Sequence, residues 1–518
     1  MQAKSLEVTK KNIFKQFSIL LAIVALISVS SCRKDFSTIP SLGTLTFSKD
    51  TVFLDTVFTN IGSSTYNLKI YNKSNNAITI PTIGLENGNS SNYRLSVDGI
   101  PGKNFQNIDI LAKDSIYVFI ETTIDYNSVA NPLYTDRILF DSGNKEQHVD
   151  LVTLVQDATF IYPGKDPLSM KIDSLTLDGK PTTIKGRFLT DPELTFTNVK
   201  PYVIYGYAAI PKNKTATIEA GAKIYFHNNS GLIVDKKASL KVNGTLSEQV
   251  VFEGDRLEHR FSNIAGQWGT IWLRAGSVNN EINYATIKNS IVGVLVDSIG
   301  AVHTPTLHIK NSQIHNSANF GILGRETNIT GENLVIGNSG QASLACTIGG
   351  TYNFTHSTFA NYWNHGIRQL PAVLVNNFFT YTDANNQEIT ETRDLHAANF
   401  TNCIISGNSN VEFILDKEDG SLFNYSVHNN MIQFNDINNS FTNNLELDFT
   451  DASHYSNNIL NGIIDFKDTA NNAFNIGQNN EGINKALQSA ALLFPLDILG
   501  TDRTATPDIG AYQHVIFQ

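Results

Sequence analysis

The sequence has 518 residues, 41% of them hydrophobic, and a formal net charge of -10 at pH 7. This length and apolar content allow a large core, while the negative charge argues against nucleic acid and anionic membrane surfaces as partners. Three cysteines are too few for a disulfide framework in a chain of this length. The sequence has no zinc-type ligand spacing, phosphate-binding loop or nucleophile-elbow motif, so it predicts none of those sites.

The first 31 residues predict an export signal. Lysines precede the apolar run FSILLAIVALISV, which is shorter than the roughly 20 apolar residues of a membrane-spanning helix. The run ends in VSSC, which resembles the bacterial lipobox, and the following RKDF resembles the charged tags of Bacteroidetes surface lipoproteins. This resemblance implies that acylated Cys32 anchors the protein in a lipid bilayer, the outer membrane, facing the periplasm or the cell surface. The alternative is an ordinary secretory signal with an incidental cysteine.

Two segments of strand-like sequence follow a polar tether at residues 32–43. Residues 44–157 contain apolar and polar residues in alternation, in runs such as YNLKIYN and SIYVFIETTID, which predicts an antiparallel β-sandwich. The stretch VFTNIGSSTYNLKIYNKSNNAITI resembles the immunoglobulin-like spacer domains of bacterial surface proteins. Residues 158–201 are predicted to be a β-rich connector or cap.

Residues 202–518 contain short apolar strands that recur with a period of about 20–30 residues. Such a period with only β signals predicts a solenoid, in which each turn of chain buries its inward residues against its neighbours. The aligned inward positions are Val292, Ile314, Val335, Phe359, Ile405 and Ile432, and a second inward column is expected at Val294, Ile322, Leu344 and Ile367.

The repeat and two motifs resemble the right-handed parallel β-helix of polysaccharide lyases and related surface proteins. GQWGTIWL looks like a glycine–tryptophan stretch near the start of such helices, and DIGAYQ resembles their closing cap, with Gln513 in place of the usual acid. The resemblances together imply an all-β chain, with an N-terminal immunoglobulin-like β-sandwich followed by a right-handed parallel β-helix.

The alignment also predicts the environment of four side chains. Cys346 and Cys403 are expected to be buried and reduced, because they fall on different strands of a turn, too far apart for a disulfide. Trp268 and Trp272 are expected to point to one face, because side chains alternate along a strand with a period of two.

The segment NYWNHGIRQ has the most ligand-like chemistry. Its Tyr362, Trp363, His365 and Arg368 are the candidate ligand-binding residues, because aromatic rings stack on sugars while His and Arg donate hydrogen bonds. Residues 376–400 interrupt the repeat, and they would form a cleft with this segment if they folded back beside Trp363 and Arg368. The alternative is that the four side chains have core and turn roles.

A polysaccharide lyase or glycoside hydrolase is the competing class of protein. Lyases on this fold use a Lys or Arg base beside calcium, so calcium is expected only under this alternative. Charged clusters occur in GDRLEHR, GRE and TETRDLH, but turn-fixing ion pairs would also explain them, and Asp297 and Arg325 are expected to pair in this way. The sequence lacks the tight acidic cluster of a calcium site, so no catalytic residue, metal site or cofactor is assigned.

The sequence therefore favours a membrane-anchored, exported lipoprotein whose β-helix binds or displays a surface for glycans or for a protein partner. A polysaccharide or a surface protein is the expected partner, and the role is expected to be non-catalytic.

Replacing Cys32 by Ala is expected to leave the precursor without lipid, because the thiol is the attachment point for the acyl chains. Metabolic labelling with palmitate measures this directly. The Cys346→Ala variant serves as the matched control and is expected to take up label like the parent chain. Equal labelling of the Cys32→Ala variant would contradict the assignment.

Overall fold

The computed structural model describes residues 37–141, 143–297 and 305–517. The fold is all-β, and the described residues contain one short α-helix, Gln488–Leu493. No helix within these ranges is long and apolar enough to cross a membrane. Short 3-10 helices lie in the loops at Gly88–Ser90, Tyr126–Ser128, Gly143–Lys145, Asp191–Leu194, His259–Phe261, Leu445–Leu447 and Thr469–Asn471.

The chain divides into two compact units between Val155 and Gln156. The predicted signal segment and Cys32 lie outside the described residues, so their assignment stays a prediction.

The first unit consists of two sheets whose strands are mainly antiparallel. One sheet has six strands, at Ile39–Pro40, Thr51–Phe58, Ile78–Leu85, Asn104–Ile110, Leu133–Phe140 and Gln147–Gln156. The other has five, at Thr46–Phe47, Tyr66–Tyr71, Tyr93–Val97, Ile100–Gly102 and Ser115–Thr122.

Alternation along these strands builds the core of the first unit. In Ser115–Thr122, for example, Val118 and Ile120 are buried, while Tyr117 and Phe119 face outward. The inward side chains of both sheets form one apolar cluster, so the two sheets pack face to face.

The second unit is built from parallel strands arranged in three rows. Row 1 is an 11-stranded sheet with strands at Thr159–Ile161, Tyr202–Ile204, Lys223–Phe226, Val250–Gly254, Ala285–Lys288, Gln313–Ser317, Val335–Ser339, Thr358–Asn361, Ile404–Gly407, Met431–Ile432 and Ile459–Leu460. Row 2 has strands at Lys180–Phe188, Tyr207–Ile210, Gly231–Val234, Ile271–Leu273, Val292–Val296, the first parts of Phe320–Glu332 and Ala342–Thr355, then Val373–Asn376 and Phe413–Asp416.

Row 3 contains the strands Thr195–Phe196, Thr215–Glu219, Ser239–Asn243, Asn280–Asn283, Leu307–Lys310, the second parts of Phe320–Glu332 and Ala342–Thr355, then Leu395–Thr401, Phe423–His428 and Tyr455–Ser456. The chain visits row 1, row 2 and row 3 in that order, and we call one such passage a circuit. Hairpins outside the rows add the strands Ser174–Leu177, Phe378–Thr382, Glu388–Thr392, Phe466–Asp468 and Ala473–Ile476.

The inward side chains of successive circuits stack in columns. In row 1 the column is Ile224, Phe252, Ile287, Ile314, Ile336, Phe359, Ile405 and Ile432, each at most 1% exposed.

The sequence alignment of this column was right for Ile314 and wrong for two of its neighbours. Val335 lies in row 1 but faces outward, and Val292 begins the following strand in row 2. Ile314 therefore stacks between Ile287 and Ile336.

The second predicted column is confirmed at three positions and wrong at the fourth. Val294, Ile322 and Leu344 stack in row 2, and the next member is Val373. Ile367, which the alignment placed there, is 91% exposed. It lies in a loop inserted before the row 2 strand, so the inward apolar residue of this circuit, Val373, comes later in the chain.

Cys346 and Cys403 are both buried and free, as predicted. The prediction for the tryptophans was wrong. Trp268 lies in the interior, where its ring stacks on Phe226 at 4.3 Å, whereas Trp272 faces outward from row 2 and is half-buried.

The C-terminal segment, residues 461–517, lies against the outer side of row 1. Its Phe474, Ile498 and Ile509 form an apolar cluster with outward-facing side chains of row 1, including Ile404. In DIGAYQ, which was expected to cap the helix, the backbone N–H of Gly510 donates to the Asn402 carbonyl. The motif therefore covers the side of row 1.

Arg503 fastens this segment to the rows. Its side chain is fully buried and donates to the carbonyls of Gly510 and Ala511 at 3.3 Å and to Oδ1 of Asn333 at 3.0 Å. Burial lowers the pKa of the guanidinium to about 10, because the interior disfavours the charge. The bond to Asn333 ties the segment to the rows, while the bonds to Gly510 and Ala511 fix the guanidinium within the segment itself.

Replacing Ile314 by Asp is expected to destabilise the protein by on the order of 4 kcal/mol, because a carboxylate in the inward column has no partner. The outward neighbour Gln313 is partly exposed, so Gln313→Asp is expected to stay within about 0.5 kcal/mol of the parent chain. Chemical unfolding of the two variants measures the difference. Equal stabilities would show that the inward column does not form the core.

Candidate functional site

The predicted ligand-binding residues lie in a loop, residues 362–372, which joins the row 1 strand Thr358–Asn361 to the row 2 strand Val373–Asn376. The loop is longer than the connections of the preceding two circuits, where row 1 and row 2 strands are two residues apart. It therefore projects from the edge between the two rows.

Arg368 is buried and paired inside the protein. Its side chain is 2% exposed and that of Glu412 is fully buried. Nη1 of Arg368 donates to Oε2 of Glu412 at 2.8 Å, and Nη2 donates to Oε1, so the contact is bidentate. Nη2 also donates to Ser409 Oγ at 2.9 Å. Arg368 therefore fixes the loop and is not presented to a ligand.

The surroundings of Glu412 complete this anchor. Its carboxylate accepts hydrogen bonds from the backbone N–H groups of Ser409 and Ala372, both at 2.7 Å. Burial raises the pKa of the Glu412 carboxyl, while the hydrogen bonds and charge of Arg368 act in the opposite direction. A buried carboxylate with four donated hydrogen bonds is a structural group, which here ties the middle and the C-terminal end of the loop to the following circuit.

Tyr362 also has a packing role. Its hydroxyl lies 2.6 Å from Oγ of Ser406, and its ring contacts the rings of Phe466 and Phe474 at centroid distances of 6.0 and 6.4 Å. Tyr362 therefore joins the loop to the C-terminal segment.

Trp363 and His365 are the two predicted residues that remain available to a ligand. His365 is exposed, Trp363 is half-exposed, and their rings meet edge to face at 5.1 Å. The Trp363 carbonyl accepts from Nδ2 of Asn408 at 2.5 Å, which fixes the backbone beneath the ring. Gly340 lies under the indole, where a Cβ would come 3.4 Å from Cζ2 of Trp363.

A depression of about 390 Å³ opens on the same edge, in the later circuits. It is lined by Asn410, Met431, Ile432, Gln433, Asn435, Asn461, Gly462 and Ile464, so none of the lining side chains carries a charge.

The depression is connected to the Trp363 loop by hydrogen bonds. Nε2 of Gln433 donates to the Ser409 carbonyl at 2.5 Å, and Asn408, next in the chain, supports Trp363. Amides and an aromatic pair thus lie on one edge of the second unit. We call Trp363, His365 and the lining of this depression the amide edge.

Sequence analysis missed the amides. A signal was present, because Asn408, Gln433 and Asn461 each follow directly on a row 1 strand. An amide that recurs after an inward strand indicates a polar edge.

The excursion at residues 376–400 forms a hairpin with strands Phe378–Thr382 and Glu388–Thr392. It follows the row 2 strand Val373–Asn376 and thus leaves at the edge between rows 2 and 3, whereas the Trp363 loop leaves at the edge between rows 1 and 2. The row 2 strand separates the hairpin from the loop, so the condition for a cleft between these two segments is not met.

The charged clusters mostly pair with one another. Asp297 accepts from Nε of Arg325 at 2.8 Å, which confirms the predicted ion pair, and also from Nε1 of Trp272 at 2.6 Å. In GDRLEHR, Asp255 accepts from Nδ1 of His227 at 2.8 Å and raises the pKa of that imidazole. Among the described residues no three His, Cys, Asp or Glu side chains form a group able to hold a metal ion.

Replacing Arg368 by Ala is expected to lower the free energy of unfolding by about 3–5 kcal/mol, because the Glu412 carboxylate would stay buried without its counterion. The matched control is Arg325→Ala, which breaks a partly exposed ion pair and is expected to cost about 0–1 kcal/mol. Urea unfolding measures both.

The stability deficit of the Arg368→Ala variant is also expected to depend on pH. Burial raises the pKa of Glu412 and Arg368 opposes this effect, so removing Arg368 raises that pKa further and the folded variant binds a proton more readily than the folded parent. The deficit relative to the parent chain should therefore shrink as the pH falls toward and below that raised pKa. A deficit that is constant with pH would contradict the buried-charge explanation.

No protein-family model matches the chain, and no curated protein matches it. Among solved structures, the catalytic unit of a thermostable GH87 α-1,3-glucanase from Streptomyces thermodiastaticus strain HF3-3 has 11% identity and a TM-score of 0.22, over 70% of this chain and 79% of that one. A family 123 glycoside hydrolase from Clostridium perfringens has 17% identity and a TM-score of 0.15, over 21% of this chain and 25% of that one. Scores this low carry no argument about the present chain.

Proposed function

We propose that this chain is an exported lipoprotein of the Bacteroidetes type that binds a neutral glycan at the amide edge without transforming it. Cys32 carries the lipid and anchors the protein in the outer membrane. The first unit is an immunoglobulin-like spacer, and the second is a right-handed parallel β-helix that carries the binding site.

The architecture of this proposal rests on strand pairing. The two sheets of the first unit share one core, as immunoglobulin-like sandwiches do. In the second unit the ordered visits to three rows of parallel strands fit a β-helix, and parallel crossovers are right-handed in nearly all proteins. The anchor rests on the sequence of the export signal alone.

The glycan-binding proposal rests on one observation, the uncharged, amide-rich depression on the edge that also carries half-buried Trp363 and exposed His365. Amide groups both donate and accept, so they match the hydroxyl groups of a sugar. An indole face packs against the apolar face of a sugar ring. The absence of charge from the lining favours a neutral glycan, in keeping with the negative charge of the chain.

Binding without catalysis is favoured over the polysaccharide lyase or glycoside hydrolase alternative. Catalysis by those enzymes needs ionisable groups aimed at the ligand. None of the residues that line the depression is ionisable, and Glu412 and Arg368 of the loop anchor are buried against each other. A small polar depression also fits a saccharide better than the broad apolar core of a protein interface.

Replacing Trp363 by Ala is expected to weaken glycan binding by about tenfold, because the stacking surface is lost. The matched control is Tyr381→Ala, which removes an aromatic ring that is 42% exposed on the hairpin. Calorimetric titration with a panel of neutral and acidic oligosaccharides measures affinity, and chromatography of the same mixtures detects any product.

Tighter binding of neutral than of acidic oligosaccharides, lost in Trp363→Ala and kept in Tyr381→Ala, is the expected outcome. Equal losses in both variants would show that the amide edge is not the site. Release of shortened or unsaturated sugars by the parent chain would overturn the non-catalytic role.

A further inference from the structure

The outer face of row 2 carries a continuous column of apolar side chains. Strand pairing aligns one outward residue from each of eight successive circuits, namely Ala209, Ile233, Trp272, Leu295, Leu323, Ala345, Leu374 and Ile414. Their neighbours in each strand are buried in the core, as Val294 and Val296 are on either side of Leu295. Because side chains alternate along a strand, the column faces away from the core.

The outward residues of row 3 show the composition of a face that is open to water. Their column is polar in each of eight described circuits, with Thr217, Lys241, Glu281, His308, Thr330, Asn353, Asn399 and Ser426. All of these residues are at least partly exposed. A flat outer face of this unit is therefore polar where no other segment packs on it.

Apolar outward columns occur where another segment of the chain covers them. In row 1, outward residues such as Ile404 pack against the C-terminal segment. In row 2, Ala209 and Ile233 form a buried cluster with Leu175 and Leu177 of the hairpin that precedes them in the chain. An apolar outer column in this unit thus indicates a face that is covered.

The row 2 column continues past the hairpin without such a cover among the described residues. Trp272 still packs against the hairpin cluster, but the four large residues that follow it belong to no apolar cluster of the described chain, and each is partly exposed. We call this continuation, about 19 Å long at the spacing of parallel strands, the row 2 stripe; it consists of Leu295, Leu323, Ala345, Leu374 and Ile414. A contiguous apolar stripe beside polar faces marks an interaction surface.

The charges at the border of this column are already paired. Nε of Arg325 donates to Asp297 at 2.8 Å, and Arg274 binds both Asp235 and Asp178. A surface that packs on the stripe therefore meets no unpaired charge along this part of its border, and needs to supply no counterion there.

The regular spacing of the stripe favours a second copy of this chain as its partner. Its side chains recur at the distance between parallel strands, about 4.8 Å. A facing surface fills the gaps between them along the whole length when its own side chains recur at the same distance. The row 2 stripe of a second copy has that spacing, and a twofold axis places the same patch on both partners.

We propose that the row 2 stripe is a self-association surface, through which two copies of this chain pack stripe against stripe in a twofold dimer. The two faces would interdigitate as the inner faces of packed sheets do. A stripe of this length makes a small interface, so the dimer is expected to be weak, with a dissociation constant on the order of 10 µM. The amide edge lies outside the stripe, so this proposal does not depend on the proposed function.

Sedimentation equilibrium of the chain from residue 33 onward, which contains every described residue, tests the dimer directly. Leu323→Lys is expected to raise the dissociation constant at least about 100-fold, because a lysine would be buried in the interface without a carboxylate partner. The matched control is Thr330→Lys, which introduces the same charge in the same strand but on the outer face of row 3. This control is expected to leave the dissociation constant unchanged.

A cysteine reporter tests the same contact without adding a charge. Cys346 and Cys403 are buried, so a thiol introduced by Leu323→Cys is the accessible one in this chain. Its rate of reaction with a thiol reagent is expected to rise when the protein is diluted below the dissociation constant. The rate for Thr330→Cys is expected to be the same at all concentrations.

A parent chain that remains monomeric at about 100 µM overturns the proposal, even if another protein binds the stripe. A dimer that persists in Leu323→Lys, or that is weakened equally by Thr330→Lys, also overturns it. Loss of the dimer in Leu323→Lys alone supports the proposal when the thermal transition matches that of the parent. If Leu323→Lys does not fold, the labelling rates decide, and a rate for Leu323→Cys that is independent of concentration overturns the proposal.

Discussion

The parallel backbone ladder between circuits is the constraint on which the second unit depends. The inner strands of each row form their ladder hydrogen bonds with the circuits on either side, so no circuit can close its hydrogen bonds alone. The same register brings like side chains into contact, as Ile287, Ile314 and Ile336 show in row 1. Pairing and burial therefore impose the same spacing on the chain, and insertions are accommodated only where the chain leaves a row.

The positions of the Trp363 loop and of the amide-lined depression both follow from that constraint. The rows fix the positions of the strand ends. Loops of different length then bring aromatic and amide side chains together at one edge. The Trp363 loop is long enough to need its own anchor, which Glu412 provides from the following circuit. Burying this ion pair gives little net stability compared with an apolar pair, but its two partners have only one geometry in which both are satisfied. Its effect is to specify the position of the loop.

The fold could be predicted from the sequence where one face of a strand is apolar and the other polar. Ile314 was placed correctly because polar Gln313 and His315 flank it. Val335 was misplaced because row 1 is apolar on both faces in the later circuits, where the C-terminal segment covers its outer side. A strand buried on both faces shows no alternation, so its register cannot be derived from the pattern.

The candidate site could be predicted only in part, for a related reason. Trp363 and His365 could be identified as ligand-like from residue type and their position in an irregular segment. The partner of Arg368 lies 44 residues away, and nothing in the local sequence points to it. The amides of the depression come from successive circuits. Such groupings depend on tertiary register, which local periodicity does not contain.

The C-terminal segment changes how the second unit must fold. In a simple array of repeats each circuit touches only the next, so the array can form progressively and fray at its ends. Here Arg503 bonds to Asn333, 170 residues earlier, and Gly510 bonds to Asn402. Residues translated later thus supply the outer cover for circuits made much earlier. Until they dock, Val335 and Ile404 lack this cover. Docking of residues 461–517, rather than addition of each repeat, is the event that makes this unit a single cooperative structure.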